Sequence, residues 1–150
     1  MRILALDLGK RRIGVAMSDP LGITAQGQQT IERTNIREDM ARLKAFIGEN
    51  DVGLVVVGNP LHMSGNEGRG SGHAREFAER LGSHAKVAVE MWDERLTSVE
   101  AGRVLRKSGI SIEKRAKAVD RLSAVLILDN YLAAHGDTPA QGEYNNEDSE

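Results

Sequence analysis

The sequence predicts an α/β domain built on a mixed five-stranded sheet with helices on its faces. The first 31 residues contain three short extended segments separated by turn residues, which is typical of a three-strand antiparallel meander. The residues that follow alternate between helical and extended apolar periodicity, which favours parallel strands covered by helices. With 150 residues, of which 40% are hydrophobic, the chain can bury one core of this kind.

The meander begins with a strand at residues 2–8, whose apolar run is interrupted by Asp7. A short glycine-containing connection leads to a second strand at residues 13–18. The turn-forming residues 19–22 then separate it from a third extended segment at residues 24–31. We expect these three strands to pair in chain order.

The later elements follow from apolar spacing and from capping residues. A capping box formed by Thr97 and Glu100 opens one of the helices. Residues 58–72 contain five glycines and no periodicity, which predicts either a mobile strand-guiding loop or a plain flexible connection. The predicted helices cover residues 36–47, 74–81, 97–107 and 115–134, and the predicted strands cover residues 52–57 and 86–92.

Composition excludes several functional classes. The absence of cysteine excludes disulfides, thiolate metal sites and cysteine nucleophiles. Aromatic residues make up 3% of the chain, which removes the stacking platform of many single-strand binders. We find neither a signal-peptide pattern nor an apolar run long enough for a membrane span, and we therefore expect a cytoplasmic protein with no membrane contact.

Three carboxylates occupy positions that need an explanation, because burial of an unpaired carboxylate is costly. Asp7 shares a strand face with apolar residues, so it is either a turn cap or a catalytic or metal-binding acid. Glu94 follows a strand end beside Asp93 and Arg95, where an ion pair or a helix cap is the alternative. Asp120 lies on the small and apolar face of the last helix, close to its predicted N-terminal end.

Three carboxylates without cysteine form a hard-oxygen set suited to Mg²⁺ or Mn²⁺. Such ions activate water and stabilise the leaving oxygen in phosphodiester cleavage. The four histidines show no metal-ligand spacing, although His62 lies in the glycine-rich stretch. Residues 9–14 match the glycine spacing of a P-loop but lack its lysine and hydroxyl residue, so a nucleotide fingerprint is not present.

Four segments together resemble the YqgF/RuvX family of bacterial pre-16S rRNA nucleases, also described as Holliday-junction-resolvase-like proteins. The match covers residues 1 to about 135 in the family's order and spacing. Asn59 and Ser123 depart from residues common in the family and affect loop contacts rather than the acids. The segments are Asp7-Leu8-Gly9 through Arg12-Ile13-Gly14-Val15-Ala16, Gly58-Asn59-Pro60-Leu61, Asp93-Glu94-Arg95-Leu96-Thr97, and Val119-Asp120 through Tyr131-Leu132.

The resemblance implies a ribonuclease H-like fold and a metal-dependent endonuclease that processes the 5′ end of 16S rRNA during ribosome maturation. It assigns the catalytic and metal-binding triad to Asp7, Glu94 and Asp120, the same acids that burial and helical geometry single out. A nuclease of this kind needs cations for the flanking phosphates. The expected nucleic-acid-binding residues are Lys10, Arg11, Arg12, Arg69, Arg95, Lys114, Arg115 and Lys117.

Other functions stay open at this stage. A resolvase-like nuclease acting on branched DNA and a non-catalytic factor that binds RNA or ribosomal particles would use the same fold, although precursor rRNA is the favoured partner. The first hairpin is also similar to the phosphate-binding loop of actin-like and sugar-kinase ATPases. Those proteins need a second copy of the core, for which this chain has no room.

Charge is distributed unevenly along the chain. The formal net charge is -2, from 20 basic and 22 acidic residues. Residues 136–150 contain five acidic residues and no Lys or Arg, so the remainder has 20 basic residues against 17 acidic ones. We therefore predict a basic nuclease domain at residues 1–135 and an acidic disordered tail at residues 136–150, which could compete with nucleic acid for the basic surface.

Overall fold

The computed structural model describes residues 1–59, 69–93 and 112–135. Six strands and three helices lie within these ranges, and they follow the predicted alternation. Their bounds are β1 Arg2–Leu8, β2 Arg12–Ser18, β3 Ala25–Gly27, β4 Ile31–Glu32, α1 Ile36–Glu49, β5 Val52–Asn59, α2 Arg69–Ala85, β6 Ala88–Asp93 and α3 Ile112–His135. The helix predicted at residues 97–107 lies outside the described residues.

One mixed sheet organises these elements, with the strand order β3-β2-β1-β5-β6 and with β4 also paired to β2. The first hairpin is antiparallel, as predicted, and pairs β1 with β2. From β1 onward the sheet is parallel, through the β1–β5 and β5–β6 pairs. The carboxyl ends of β1, β5 and β6 therefore meet at one edge, the arrangement in which α/β sheets place ligand sites.

Alternation along β1 divides the core into two layers. Leu4 and Leu6 face a cluster that contains Met40 and Leu43 of α1 and Phe77 of α2. Ala5 faces the other cluster, in which Ala124, Ile127 and Leu128 of α3 pack on the sheet. All of these residues are buried. The sheet is thus covered by α1 and α2 on one face and by α3 on the other, as expected for a strand with period-two alternation.

The third predicted strand is divided into β3 and β4, which makes six strands instead of five. Both pieces pair with β2, but the register shifts by one residue between the Ala16–Gly27 pair and the Ile13–Ile31 pair. The amide of Gln28 donates to the carbonyl of Val15 at 2.8 Å inside this gap. One extra residue on one side of a ladder is a β-bulge, and it interrupts the strand.

Helix α2 begins earlier than the apolar pattern indicates. The predicted glycine-rich connection at residues 58–72 is wrong at both ends, because β5 extends to Asn59 and α2 starts at Arg69. Arg69 is therefore a helix residue rather than a loop residue. Glycines in the first turn of α2 lower helix propensity, which is why residue type alone did not predict this start.

Two further boundaries differ from the predictions. Strand β6 begins at Ala88 rather than at residue 86, because Lys86 adopts a positive φ of 54° in the turn that follows α2. Helix α3 begins at Ile112 rather than at residue 115, so Asp120 lies more than two turns into the helix. The positive end of the helix dipole stabilises acids only within the first turn, so it does not account for a carboxylate at Asp120.

Substitution of Asp19 tests the turn between β2 and β3. Its Oδ1 atom accepts the amides of Ile23 at 2.6 Å and Thr24 at 3.0 Å. These bonds, that of Thr24 first, hold the pKa of Asp19 below its ordinary value of 3.8. Because the folded state favours the charged form, its stabilising effect is present at neutral pH and is lost as the pH falls through the lowered pKa.

We therefore expect Asp19→Ala to lower the melting temperature at neutral pH and to have less effect in acid. Asp19→Asn keeps a hydrogen-bond acceptor and removes the charge. Its melting temperature at neutral pH should therefore lie between those of Asp19→Ala and the unmodified protein. Thermal unfolding of the three proteins from neutral pH down to acid is the measurement. An Asp19→Ala defect that is the same at every pH would contradict a role for the carboxylate charge.

Candidate active site

Two of the three predicted acids, Asp7 and Glu94, lie at the carboxyl edge of the parallel strands or follow it directly in the sequence. Asp7 is the penultimate residue of β1 and pairs with Gly14 of β2. Strand β5 ends next to it, since Leu6 is in register with Val57. On the far side of β5, Asn59 is in register with Asp93, the last residue of β6. The edge is therefore defined by three strand ends in a row.

Asp7 is buried, with 8% of its surface exposed. Its side chain alternates with those of Leu6 and Leu8 and so lies on the sheet face of Ala5, which packs against α3. The predicted strand face is thus confirmed. A carboxylate this buried requires compensating hydrogen bonds or charges, which distinguishes it from a solvated turn residue.

For the other two acids, only neighbouring residues in the chain are described. Glu94 and Arg95 lie outside the described residues, directly after Asp93. Asp120 belongs to α3, but its side chain is outside the description. The face predicted for it is confirmed at Ser123 and Ala124, which are buried at 1% and 0% exposure. By contrast Asp129 is exposed, as predicted, although partial burial raises its pKa.

The tip of the β1–β2 hairpin carries the predicted phosphate-binding cations. Lys10 and Arg11 are exposed and Arg12 is half-buried. The tip is closed by the amide of Gly9, which donates to the carbonyl of Arg12 at 2.9 Å. This arrangement places two solvent-exposed cations within four residues of Asp7, where a phosphate backbone approaching the carboxylate would meet them.

The remaining predicted cations are less well located. Arg69 opens α2, and Lys114, Arg115 and Lys117 lie in the first turns of α3. The side chains of all four are outside the description. Their roles in nucleic-acid binding therefore stay predictions.

A buried charge network supports the hairpin tip and was not predicted. Asp39 of α1 is 1% exposed and accepts from Nε of Arg33 at 3.3 Å and from Arg42 at 3.0 Å. Arg33 also donates to the carbonyl of Gly9 at 2.9 Å and lies over the ring of Phe77, 5.6 Å from its centre. The arginine thus ties the residue after β1 to both helices on that face.

An aromatic cluster lies on the α3 face near the end of β6. Tyr131 stacks on His135 with ring centres 4.2 Å apart, and Trp92 meets Tyr131 edge to face at 5.4 Å. The Tyr131 hydroxyl donates to Glu90 at 3.2 Å. Burial and the Glu90 charge raise the pKa of Tyr131. Two of the five Phe, Trp and Tyr residues, Trp92 and Tyr131, therefore lie beside the strand that leads to Glu94, which the 3% composition does not reveal.

A cavity of about 610 Å³ opens on the opposite face of the sheet, at the same edge. It lies between the hairpin tip, α1 and α2 and combines cations with apolar side chains. No sequence motif joins these elements, so the cavity could not be predicted from the sequence. The cavity is lined by Leu8, Gly9, Lys10, Arg33, Ile36, Gly58, His73, Ala74, Glu76, Phe77 and Arg80.

The donor chemistry at the edge fits a hard divalent cation. Asp7 supplies a carboxylate, the ligand type that Mg²⁺ and Mn²⁺ prefer. Among the side chains that the structure describes, no group of three or more histidine, aspartate or glutamate residues could hold a metal ion. The predicted site of three carboxylates includes Glu94 and Asp120, whose side chains are not among those described, so it stays a prediction.

Gly9→Ala should damage the hairpin tip. A Cβ atom at Gly9 would lie 2.7 Å from the backbone carbonyl oxygen of Arg12, closer than such atoms approach. We expect a loss of about 1–3 kcal/mol in unfolding free energy, because backbone must move to relieve the clash. Any activity that depends on Asp7 and Lys10 should fall with it, since the tip carries Lys10 and adjoins Asp7. Urea unfolding measures the first effect.

The matched control is Gly48→Ala on α1, where an added Cβ would meet nothing within 4 Å. It should be close to neutral. Equal losses in the two variants would show that the hairpin tip has no special steric requirement.

Comparison with known proteins supports the family that the sequence motifs resemble. A family model described as "RuvX: Holliday junction resolvase" matches residues 1–134. A relative named "Putative pre-16S rRNA nuclease" from Koribacter versatilis (strain Ellin345) is 58% identical over 135 residues, covering 90% of this chain and 88% of the relative. One of the same name from Myxococcus xanthus (strain DK1622) is 43% identical over 148 residues, covering 99% and 97%.

Solved structures with the same fold include T. thermophilus RuvC in complex with a Holliday junction substrate. That structure has a TM-score of 0.55 and 14% identity and covers 91% of this chain and 96% of the RuvC chain. A second Thermus thermophilus RuvC structure gives a TM-score of 0.53 at the same identity, covering 91% and 97%. The similarity confirms the ribonuclease H-like fold that the sequence predicted.

Proposed function

Because the chain belongs to the RuvX family, we propose that it is a metal-dependent endonuclease that hydrolyses phosphodiester bonds in precursor 16S rRNA, near the 5′ end. The observation that carries the proposal is the buried carboxylate of Asp7 at the edge where β1, β5 and β6 end. The relatives from Koribacter versatilis and Myxococcus xanthus, both named as pre-16S rRNA nucleases, support the choice of substrate.

In this proposal Asp7, Glu94 and Asp120 would together hold Mg²⁺ or Mn²⁺. A divalent ion bound there supplies positive charge at the scissile phosphate and lowers the pKa of the attacking water. Asp7 contributes a fixed position, because β1 is hydrogen-bonded on both sides, by β2 and by β5. A ligand on a rigid strand is held with less reorganisation than a ligand on a loop.

The cations have the task of binding the backbone of the substrate. Lys10 and Arg11 are exposed beside Asp7, while Arg12, Arg69, Arg95, Lys114, Arg115 and Lys117 extend the basic surface in our proposal. Such contacts position a strand without reading its sequence. Residues 1–135 form the nuclease domain and residues 136–150 an acidic tail that competes with nucleic acid.

The cellular setting follows from the substrate. No helix in the described ranges combines the length and apolar character of a membrane span. A nuclease of precursor rRNA meets its substrate in the cytoplasm of a bacterium, with ribosomal particles as further partners. The family description as a Holliday junction resolvase favours branched DNA as a second candidate substrate.

The experiment compares the two substrates directly. Purified protein is incubated with a fragment spanning the 5′ end of precursor 16S rRNA, and separately with a four-way DNA junction, with Mg²⁺, with Mn²⁺ and with chelator. We expect metal-dependent cleavage of the RNA and a much lower rate on the junction. Faster cleavage of the junction would transfer the assignment to DNA, and no cleavage of either would refute the nuclease proposal.

A further inference from the structure

The cavity on the α1/α2 face is separated from Asp7 by the thickness of the sheet. Asp7 lies on the face of α3, whereas the next side chain, that of Leu8, packs with the α1/α2 cluster and lines the cavity. Gly9 and Lys10 continue from there along the cavity wall. The proposed cleavage site and the cavity are therefore adjacent at one edge of the sheet but face in opposite directions.

Charge makes the cavity suited to an anion. Its lining includes Lys10, Arg33, His73 and Arg80 against a single acid, Glu76. Arg33 is committed to Asp39 and to the carbonyl of Gly9. Lys10 and Arg80 are exposed, and neither forms an ion pair with another residue in the described ranges. Two cations from different elements, the hairpin tip and α2, are thus available for a ligand.

The floor of the cavity is apolar. Phe77 and Ala74 of α2 are buried, and Ile36 at the start of α1 is among the exposed large hydrophobic residues, at 38%. Together with Leu8, they form a surface that can cover the flat face of a base or a sugar ring. The volume of about 610 Å³ is within the range of small-ligand pockets and is large enough for one nucleotide.

We propose that this cavity is a binding subsite for a nucleotide of the substrate strand that flanks the cleaved bond. The inference rests on the proposed nuclease function. The strand passes over the hairpin tip from the α3 face to the α1/α2 face, Lys10 and Arg80 bind its phosphate, and the apolar floor covers its base. Because the cavity holds one nucleotide at a fixed distance from Asp7, it determines which phosphodiester bond of the strand lies at Asp7.

Binding of shortened strands tests the subsite. In the Asp7→Asn background, which prevents cleavage, a labelled RNA strand is shortened by one nucleotide at a time from each end, and its dissociation constant is measured by fluorescence anisotropy. Removal of the nucleotide that reaches the cavity should weaken binding about tenfold, the combined effect of its phosphate contacts and of its contact with the apolar floor. Arg80→Glu should weaken binding of the long strand by a similar factor. In this variant, removal of the same nucleotide should cause no further loss of affinity.

The matched control is Lys44→Glu, an equal charge reversal on the surface of α1 and outside this cavity. In this control, removal of the same nucleotide should still weaken binding. Arg80→Gln provides a milder change at the same position, and thermal unfolding of all variants confirms that each is folded. A free nucleoside monophosphate added in excess should compete for binding of the long strand and not of the shortened strand.

The outcomes separate the two proposals. Absence of metal-dependent cleavage by the protein with native Asp7 refutes the nuclease function. If that protein cleaves RNA but shortening the strand produces no tenfold loss of affinity, the subsite is overturned and the nuclease function stays. The same holds if this loss persists in Arg80→Glu. A cavity that binds the monophosphate without any effect of strand length would be a separate nucleotide site, which also contradicts the proposal.

Discussion

Asp7→Asn should reduce the rate of metal-dependent RNA cleavage by at least about a thousandfold, while the folded structure is retained. Loss of one ligand removes several kcal/mol of transition-state stabilisation, and each 1.4 kcal/mol corresponds to about tenfold in rate. Asparagine has nearly the same shape as aspartate, so the packing of the buried site is conserved. Single-turnover cleavage with saturating enzyme measures the chemical step, and circular dichroism reports on the fold.

Asp129→Asn is the matched control for this substitution, because Asp129 is an exposed acid on α3. It should cleave RNA at the rate of the unmodified protein. A rate for Asp7→Asn within about threefold of the control would remove Asp7 from the catalytic set. An equal loss in both variants would indicate a general effect of charge rather than a metal site.

Asp39→Ala should be the most damaging substitution for stability outside the apolar core. It removes a carboxylate that is 1% exposed and accepts from Arg33, from Arg42 and from the amide of Thr34. Removal of one partner leaves the part-buried guanidinium of Arg33 without its counter-charge. We expect a loss of about 3 kcal/mol in unfolding free energy, the lower end for broken buried ion pairs, because Arg33 is partly solvated.

The same substitution should also impair cleavage, because Arg33 holds the carbonyl of Gly9 two residues after Asp7, the proposed catalytic acid. Arg42→Ala should cost less than about 1 kcal/mol, since 42% of the Arg42 side chain is exposed. Glu49→Ala, at an exposed position on the same helix, is the control. Urea unfolding of the three variants checks the order, and a loss in Asp39→Ala no larger than in Glu49→Ala would contradict the role of the network.

The comparison of Asp7 with Asp39 shows how far residue patterns lead. Both acids lie among apolar residues, and the burial argument that singled out Asp7 applies equally to Asp39, which shares the helix face of Leu43. The structure resolves Asp39 as the centre of an arginine network. A buried acid therefore signals a special environment, but the sequence does not identify its partners, since Arg42 is on the same helix and Arg33 lies outside it.

Periodicity predicted the elements well where they are long and amphipathic. Strand β1, strand β2 and helix α1 lie within a few residues of their predicted positions. The bulge between β3 and β4 was not predictable, because it arises from the register against β2 rather than from the residues of the strand itself. The early start of α2 was missed for a related reason, since contacts elsewhere in the fold can override weak helix propensity.

The candidate site also contains a part that the sequence predicts and a part that it does not. Asp7 and the hairpin cations belong to one contiguous segment, and their positions at the end of β1 and at the hairpin tip are as predicted, while their roles stay predictions. The cavity brings together the hairpin tip, α1 and α2, which are far apart in the chain. Arg80 and His73 carry no motif and sit on an ordinary amphipathic helix, so only the packing of three elements reveals that they face a common space.

The affinity for Mn²⁺ tests the central claim most directly, namely that Asp7, Glu94 and Asp120 form one metal site. Free Mn²⁺ is titrated by electron paramagnetic resonance in the unmodified protein, in Asp7→Asn, Glu94→Gln and Asp120→Asn, and in the Asp129→Asn control. We predict that each of the three substitutions weakens the tightest site by at least about tenfold, since each removes a ligand, and that the control has no effect. Unchanged affinity in any of the three would contradict the shared site.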